Sequence, residues 1–315
     1  MKALERRHVL AFCLVCVAAV WGGTFVVVKD VVSRYPVNAF LAWRFALATL
    51  VLVAAFPGAL RRLDRRAVGT GLVAGLFLTA GYVFQTWGLE TTTASKAAFV
   101  TGMFVVITPV LQAVLLRHAP RKETVAGVAA ATVGLWLLSG GPSGAWNSGD
   151  TRVLLCAVAY SLHMIVLGSI GRRHEPVGLT VVQLATVAGM TTVLSLGFEG
   201  AALPTEPRLI GAIALTAVFG SAAAFVVQTY AQRVIAPSTV ALILVTEPAF
   251  GGLFGWLAGE RLGPRGIAGA ALILAAMIYV EVLGTQKARS RTEQVAVAVE
   301  GPPVPLEDPA EVQAD

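Results

Sequence analysis

"LVTEPAFGGLFGWLAG", residues 244–259, sets a glutamate and a proline side by side inside an apolar run. From Pro237 to Ala258 the only charged residue is Glu247. About 20 residues of this kind span a bilayer core of roughly 30 Å. An acidic residue at the centre of such a helix costs about 2.5–3.5 kcal/mol. The nine Leu, Ile, Val and Phe residues of the run return about 0.3–0.6 kcal/mol each. The helix therefore inserts with its glutamate, with little margin. Glu247, Gly251, Gly255 and Gly259 recur at every fourth position and share one stripe. Small residues at that spacing let a neighbouring helix approach closely, so Glu247 faces protein or a wet cavity and the glycines serve helix packing. Pro248 lacks an amide hydrogen, leaves the Leu244 carbonyl free and predicts a kink.

The rest of the chain repeats this pattern. Of 315 residues, 56% are hydrophobic and 13% charged, and the mean hydropathy is +0.75. Soluble domains carry about 25% charged residues. Ten apolar runs predict ten transmembrane helices, at 9–28, 39–57, 68–88, 96–116, 124–140, 153–170, 178–198, 208–231, 237–258 and 265–284. Helices are expected because an open sheet leaves its edges unsatisfied in lipid. The basic, then apolar, N-terminus has the form of a signal peptide. With nine further spans behind it, it is read as a retained first helix.

Lys and Arg orient the bundle. With the N-terminus inside, inner segments hold 16 of the 24, outer segments hold 7, and Arg44 lies within a span. Both termini are thus expected in the cytoplasm. The net charge of +6 follows from topology and gives no reason to expect nucleic acid as a partner. Cys13, Cys16 and Cys156 lie within spans and read as small buried hydrophobes rather than a redox or metal site. Residues 285–315 turn from basic to acidic and Pro-rich, which predicts a disordered cytoplasmic tail whose residues after about Arg291 are dispensable for transport.

The chain also repeats itself. "FQTWGLETTTAS" (84–95) aligns with "VQTYAQRVIAPS" (227–238), and "AAVWGGTF" (18–25) with "AVAYSLHM" (157–164). These alignments pair Gln85 with Gln228, Trp21 with Tyr160, and Thr24 with His163. Pro109 follows Ser95 by fourteen residues and Pro248 follows Ser238 by ten. The repeats are placed at 9–140 and 153–284, five spans each. Five is odd, so the second copy enters the bilayer inverted, an arrangement that builds transporters with a midplane site between the copies.

"WGGTF", "ASKAAFVTGMFVVITPVLQAVLLRHAP" and "TEPAFGGLFGWLAGERLGPRGIAGAALILAA" resemble the EamA family of the drug/metabolite transporter superfamily. The resemblance covers residues 9–284. It implies an all-α polytopic carrier of ten transmembrane helices in two inverted repeats, commonly exporting amino acids, other metabolites or drugs. One departure is that the matching place of Glu260 in the first half is held by His118.

Glu247 is the first candidate for binding substrate or protons, with a structural carboxyl as the alternative. Arg44 reads either as snorkelling to the outer interface, the favoured reading, or as a counter-ion for an anionic substrate group. Gln85 and Gln228 line a cavity or bridge helices. His163 reads as a helix-packing residue before a proton-binding one. Trp21, Tyr82, Tyr160 and Tyr230 line the path or anchor at interfaces. Pro109 and Pro248 are the expected kinks. No catalytic set, metal cluster, cofactor motif or phosphate loop is legible. The expected function is therefore a secondary or facilitative exporter in the inner membrane, working by alternating access. Its partners are a small-molecule substrate, the lipid bilayer and protons. An exchanger of phosphorylated or nucleotide-linked sugars ranks lower, since it needs paired midplane cations. A non-transporting scaffold would not need the midplane Glu-Pro.

Overall fold

The computed structural model describes residues 2–115, 117, 122–138, 146–169, 171, 174–234, 243–244 and 246–279. Among these the regular elements are all helical. They are α1 (Lys2–Val32), α2 (Val37–Ala55), α3 (Arg65–Leu89), α4 (Ala94–Gly102), α5 (Phe104–Leu115), α6 (Lys122–Leu138), α7 (Ser148–Ser169) and α8 (Pro176–Phe198). Then come α9 (Pro207–Ala217), a π turn (Val218–Ala223), α10 (Ala224–Val234), α11 (Glu247–Leu257) and α12 (Pro264–Tyr279). Among the described residues seven stretches are long and apolar enough to cross a membrane. The expected spans 124–140, 237–258 and 265–284 are met by the shorter α6, α11 and α12. Residues 139–140, 237–242 and 280–284 lie outside the described residues, as do the tail 285–315 and His118.

Large apolar side chains such as Phe12, Trp136 and Phe198 stand exposed on the outside, as a lipid-facing surface requires. Inside, α3 packs on α7 and α8, α2 on α8, and α5 on α7, while α11 lies between α1 and α4. The glycine stripe explains the last arrangement. A Cβ on Gly251 would strike Ala98 of α4, and one on Gly255 would strike Ser95. From the other side, a Cβ on Gly22 of α1 would lie 2.7 Å from Gly251 N. Gly259 departs from the expected packing role. Its φ of +95° and the open space around it mark a helix terminator. Glu260 N donates to Gly255 O (2.9 Å) and Gly259 N to Trp256 O (3.0 Å), the hydrogen-bond pair of a glycine-ended helix.

The kink expected at Pro109 lies upstream of it, and the one expected at Pro248 falls within the turn before it. The fourth span breaks at Met103 (φ −58°, ψ −15°), and helix then runs on through Pro109 inside α5. In the ninth span Thr246 (φ −73°, ψ −15°) precedes a fresh helix that begins at Glu247, with Pro248 in its first turn. Proline fits that position because the first amides of a helix have no intrahelical acceptor. Met103 stands eight residues after Ser95 and Thr246 eight after Ser238, so the breaks match where the prolines do not. The two breaks also touch: a Cβ on Gly102 would lie 2.5 Å from Pro248 Cγ.

Carboxylates cap several helix starts, where free N–H groups and the helix dipole favour negative charge. Asp64 accepts from Ala67 N (2.7 Å), and Glu175 from Gly178 N (2.6 Å). Two caps come from far along the chain. Glu199 accepts from Asn38 N (3.0 Å) and Ala39 N (2.9 Å) at the start of α2. Glu260 accepts from Ala94 N (2.7 Å) and Ser95 N (2.8 Å) at the start of α4. These lie on one face of the bundle with the Lys96–Asp150 ion pair (2.6 Å), Arg152 beside Glu90 (3.6 Å) and Tyr35 Oη donating to Ala202 O (2.8 Å). Every one of these contacts joins residues before 140 to residues after 146. On the opposite face the described links of this kind are the His174 contacts to Thr70 (3.3 Å) and Asp64 (3.9 Å).

Candidate functional site

Between the helices lies a cavity enclosing about 620 Å³ not filled by atoms, part of it open to solvent. Glu247 is ten residues from the end of α11, or about 15 Å at 1.5 Å per residue, half the thickness of a bilayer core.

The lining comes from matched positions of the two halves. Trp21 and Tyr160 both reach it, as do Thr24 and His163, and Gln85 and Gln228. The same offsets pair Phe25 with Met164, Tyr82 with Phe225, Thr101 with Leu244, and Phe104 with Glu247; these line it too. Rings pack edge to face around it: Tyr82 on Tyr160 at 5.6 Å and, behind the lining, on Phe45 at 4.6 Å, with Trp21 tilted against Phe225 at 5.8 Å. Gln85 Nε2 donates to Thr101 Oγ1 (3.2 Å), and Gln228 Nε2 approaches Met164 Sδ (4.0 Å). His163 Nε2 donates to Gln183 Oε1 (2.7 Å), and Gln183 Nε2 in turn donates to Leu179 O (3.1 Å). Of the expected lining residues, Tyr230 is not brought in. It points outward with 36% of its surface exposed.

Arg44 does not snorkel. It is 2% exposed and faces the cavity. Its Nε donates to Ser221 Oγ (2.9 Å) and its Nη2 to Gly220 O (3.4 Å). The guanidinium lies 4.9 Å from the centre of the Tyr82 ring and 5.2 Å from that of Phe45, a cation–π geometry. Both acceptors belong to the π turn, where Gly220 O also receives Trp21 Nε1 (2.8 Å). A π turn absorbs one extra residue and opens the helix backbone to outside donors. Cap-to-glutamine counts agree: 21 positions separate Asp64 from Gln85, and 22 separate Glu206 from Gln228. Sequence reading missed this device; comparing those two spacings would have found it.

Glu247 is 8% exposed, and its surface opens on the cavity. Among the described residues it has no hydrogen-bond or ion-pair partner. Nor does Arg44 form an ion pair, with Glu247 or with any other described carboxylate. Among the described residues no group of three His, Cys, Asp or Glu could hold a metal.

A family model described as the EamA-like transporter family matches the chain twice, over residues 9–140 and 147–281. A protein of Archaeoglobus fulgidus described as an uncharacterized transporter is 31% identical over 270 residues, which is 85% of this chain and 84% of that protein. A solved crystal structure, 17% identical, superposes with a TM-score of 0.64 over 88% of this chain and 98% of its own, a likeness of fold.

Proposed function

The chain belongs to the EamA-like transporter family and is a multi-pass membrane protein, and from that premise we propose a secondary or facilitative exporter of small metabolites across the inner membrane. Amino acids and aromatic or amphipathic compounds are the substrate range. The observation that carries this reading is the mid-depth cavity lined by matched positions of both halves. Transporters built from inverted repeats place their sites there. The halves, 9–140 and 153–284, would form inverted five-helix repeats with both termini in the cytoplasm. The cross-half contacts at one face then hold the outer side shut, and rocking about the cavity opens it.

Two arms test this. Metabolite profiling of medium from overexpressing and deletion strains should show solutes that rise in the first and fall in the second; identical profiles would refute export. Cysteines at 119 and 262 should label from the cytoplasm and from outside respectively. Labelling from one side alone would refute inversion. An exchanger of phosphorylated solutes finds less support, because Arg44 meets no second cation among the described lining residues and Glu247 opposes it.

A further inference from the structure

We propose that the start of α3 binds an anionic phospholipid of the surrounding bilayer, with the headgroup phosphate on Arg61, Arg65 and Arg66 and an acyl chain along α3. This goes beyond the transporter reading and needs only that the chain sits in a membrane. The stretch "FPGALRRLDRR" (56–66) joins α2 to α3 and holds four arginines among its last six residues. Arg61, Arg65 and Arg66 are exposed, and among the described residues none of their side chains forms a hydrogen bond or ion pair. The one acid of the stretch is engaged elsewhere: Asp64 accepts from Ala67 N (2.7 Å) and lies beside His174 (3.9 Å). Arg65 and Arg66 stand in the first turn of α3, where cations oppose the helix dipole. A bound anion offsets that opposition and the mutual repulsion of the arginines. Arginine suits phosphate because its planar fork donates two parallel N–H bonds.

Apolar surface continues from the charges. Phe56 and Leu60 stand exposed in the same loop. On α3, Arg65, Val68, Leu72 and Leu76 recur at helical spacing along one stripe, and its three apolar members are exposed. Gly69 lies within the stripe, and a Cβ placed there meets nothing within 4 Å, which leaves a shallow gap open to lipid. From Arg65 to Leu76 the helix advances eleven residues, about 16 Å at 1.5 Å per residue, which matches one leaflet of a hydrocarbon core of roughly 30 Å. Charge at the interface above an apolar track one leaflet deep is the shape of a phospholipid. The same helix carries Leu78, Tyr82 and Gln85 into the cavity, so a lipid held here braces an element of the lining.

The matched place in the other half supplies the contrast. Glu206 precedes α9 as Asp64 precedes α3, and Ile210 and Leu215 are exposed below it. Arg208 is the one cation in that first turn, and Glu206 is itself paired with Arg34 (3.6 Å). Orientation of the chain asks only for positive charge on a loop. It does not ask for a glycine gap and an apolar track beneath the charge.

The purified full-length protein in detergent micelles would be titrated with phosphatidylglycerol and with phosphatidylcholine of the same acyl chains, and read by native mass spectrometry. Phosphatidylglycerol should bind about tenfold more tightly; equal affinities would overturn the site. Arg65→Gln combined with Arg66→Gln should bring the ratio within about threefold, whereas Arg208→Gln should leave it unchanged. Equal losses in both would mean diffuse attraction by net charge and would overturn the site. Arg65→Lys combined with Arg66→Lys keeps the charge and should keep most of the preference. Gly69→Leu fills the gap and should weaken phosphatidylglycerol about threefold. Glycerophosphoglycerol, the headgroup without chains, should not compete at millimolar concentration; competition would assign the arginines to a free phosphate ester and overturn the lipid. Should the Gln variant fail to insert, the wild type decides. In nanodiscs, replacing about a third of the phosphatidylcholine by phosphatidylglycerol should raise its unfolding midpoint by several degrees. No rise, or an equal rise for wild type and Gly69→Leu, overturns the proposal.

Discussion

Two interrupted helices face each other across the bundle, and they are interrupted at matched places with unmatched chemistry. Both breaks lie eight residues past a corresponding serine, and both have ψ of −15°. After the first break comes Phe104, with Thr108 one turn on. After the second comes Glu247, with Gly251 one turn on. The first segment is free to carry side chains along its length. The second is pressed between α1 and α4 and tolerates only hydrogen at Gly251 and Gly255. Shared backbone geometry with divided side-chain roles gives a cavity that is nearly symmetric in shape and asymmetric in charge.

The largest effect should come from filling the tight side. Gly251→Val puts a branched side chain where even a Cβ meets Ala98. Overpacking of this kind costs about 1–3 kcal/mol or more, so folded yield in detergent, read by size-exclusion profile, should collapse. Thr108→Val at the matched place should leave the profile unchanged. Equal tolerance at both would mean that the two segments are not packed differently.

Next is the charge itself. Glu247→Gln is nearly isosteric and keeps hydrogen-bonding capacity. It should lower flux in proteoliposomes about tenfold, equivalent to about 1.4 kcal/mol, at normal incorporation. Phe104→Leu should change flux less than about threefold, since its role is apolar lining. Wild-type flux for the Gln variant, with and without a pH gradient, would make Glu247 a structural carboxyl.

Much of this comparison was legible in the sequence, though not its hinges. The spans, the Gln85–Gln228 and Trp21–Tyr160 pairs and the inward-facing glutamate follow from hydropathy, alignment and small-residue spacing. The exact break residues do not, because Pro109 stands six residues past Met103 and Pro248 only brackets a turn with Leu244. Their places are fixed by tertiary contact, where Gly102 admits the Pro248 ring. Arg44 was misread as interfacial because an isolated span offers a guanidinium nothing to bond, whereas the folded π turn offers Ser221 and Gly220. Glu260 was legible as part of a motif but not as a cap, since its partners Ala94 and Ser95 lie 166 and 165 residues away.

That cap gives a smaller effect. In Glu260→Gln one oxygen is replaced by a donor and the charge on the α4 dipole is lost, worth about 0.3–1 kcal/mol and up to ~2 in partly buried sites. The face it ties should open more often. A cysteine at Leu78, which lines the cavity, should label about threefold faster with an impermeant reagent from that face. Glu175→Gln, a cap within one half on the opposite face, should not change that rate. Equal acceleration by both would mean general loosening rather than a latch across the halves.

The smallest expected change in transport is at Ser221. Its hydroxyl accepts from Arg44 Nε inside the π turn, at a place that, counted back from the glutamines, corresponds to Leu78 in the other half. Ser221→Ala removes that acceptor and leaves a buried N–H unsatisfied, at about 1–3 kcal/mol. Gly220 O and the Tyr82 ring still hold the guanidinium, so Arg44 stays in the cavity but less firmly aimed. Substrate affinity should fall about threefold while maximal flux holds, because the charge is still present and only its orientation has loosened. Thermal stability should drop by a few degrees. Arg44→Gln removes the charge as well, so it should cost more than Ser221→Ala, and the double variant should cost no more than Arg44→Gln alone. Additive losses in the double variant would show that Ser221 acts through something other than the arginine, and the link between the extra residue of the π turn and the cavity's charge would fall.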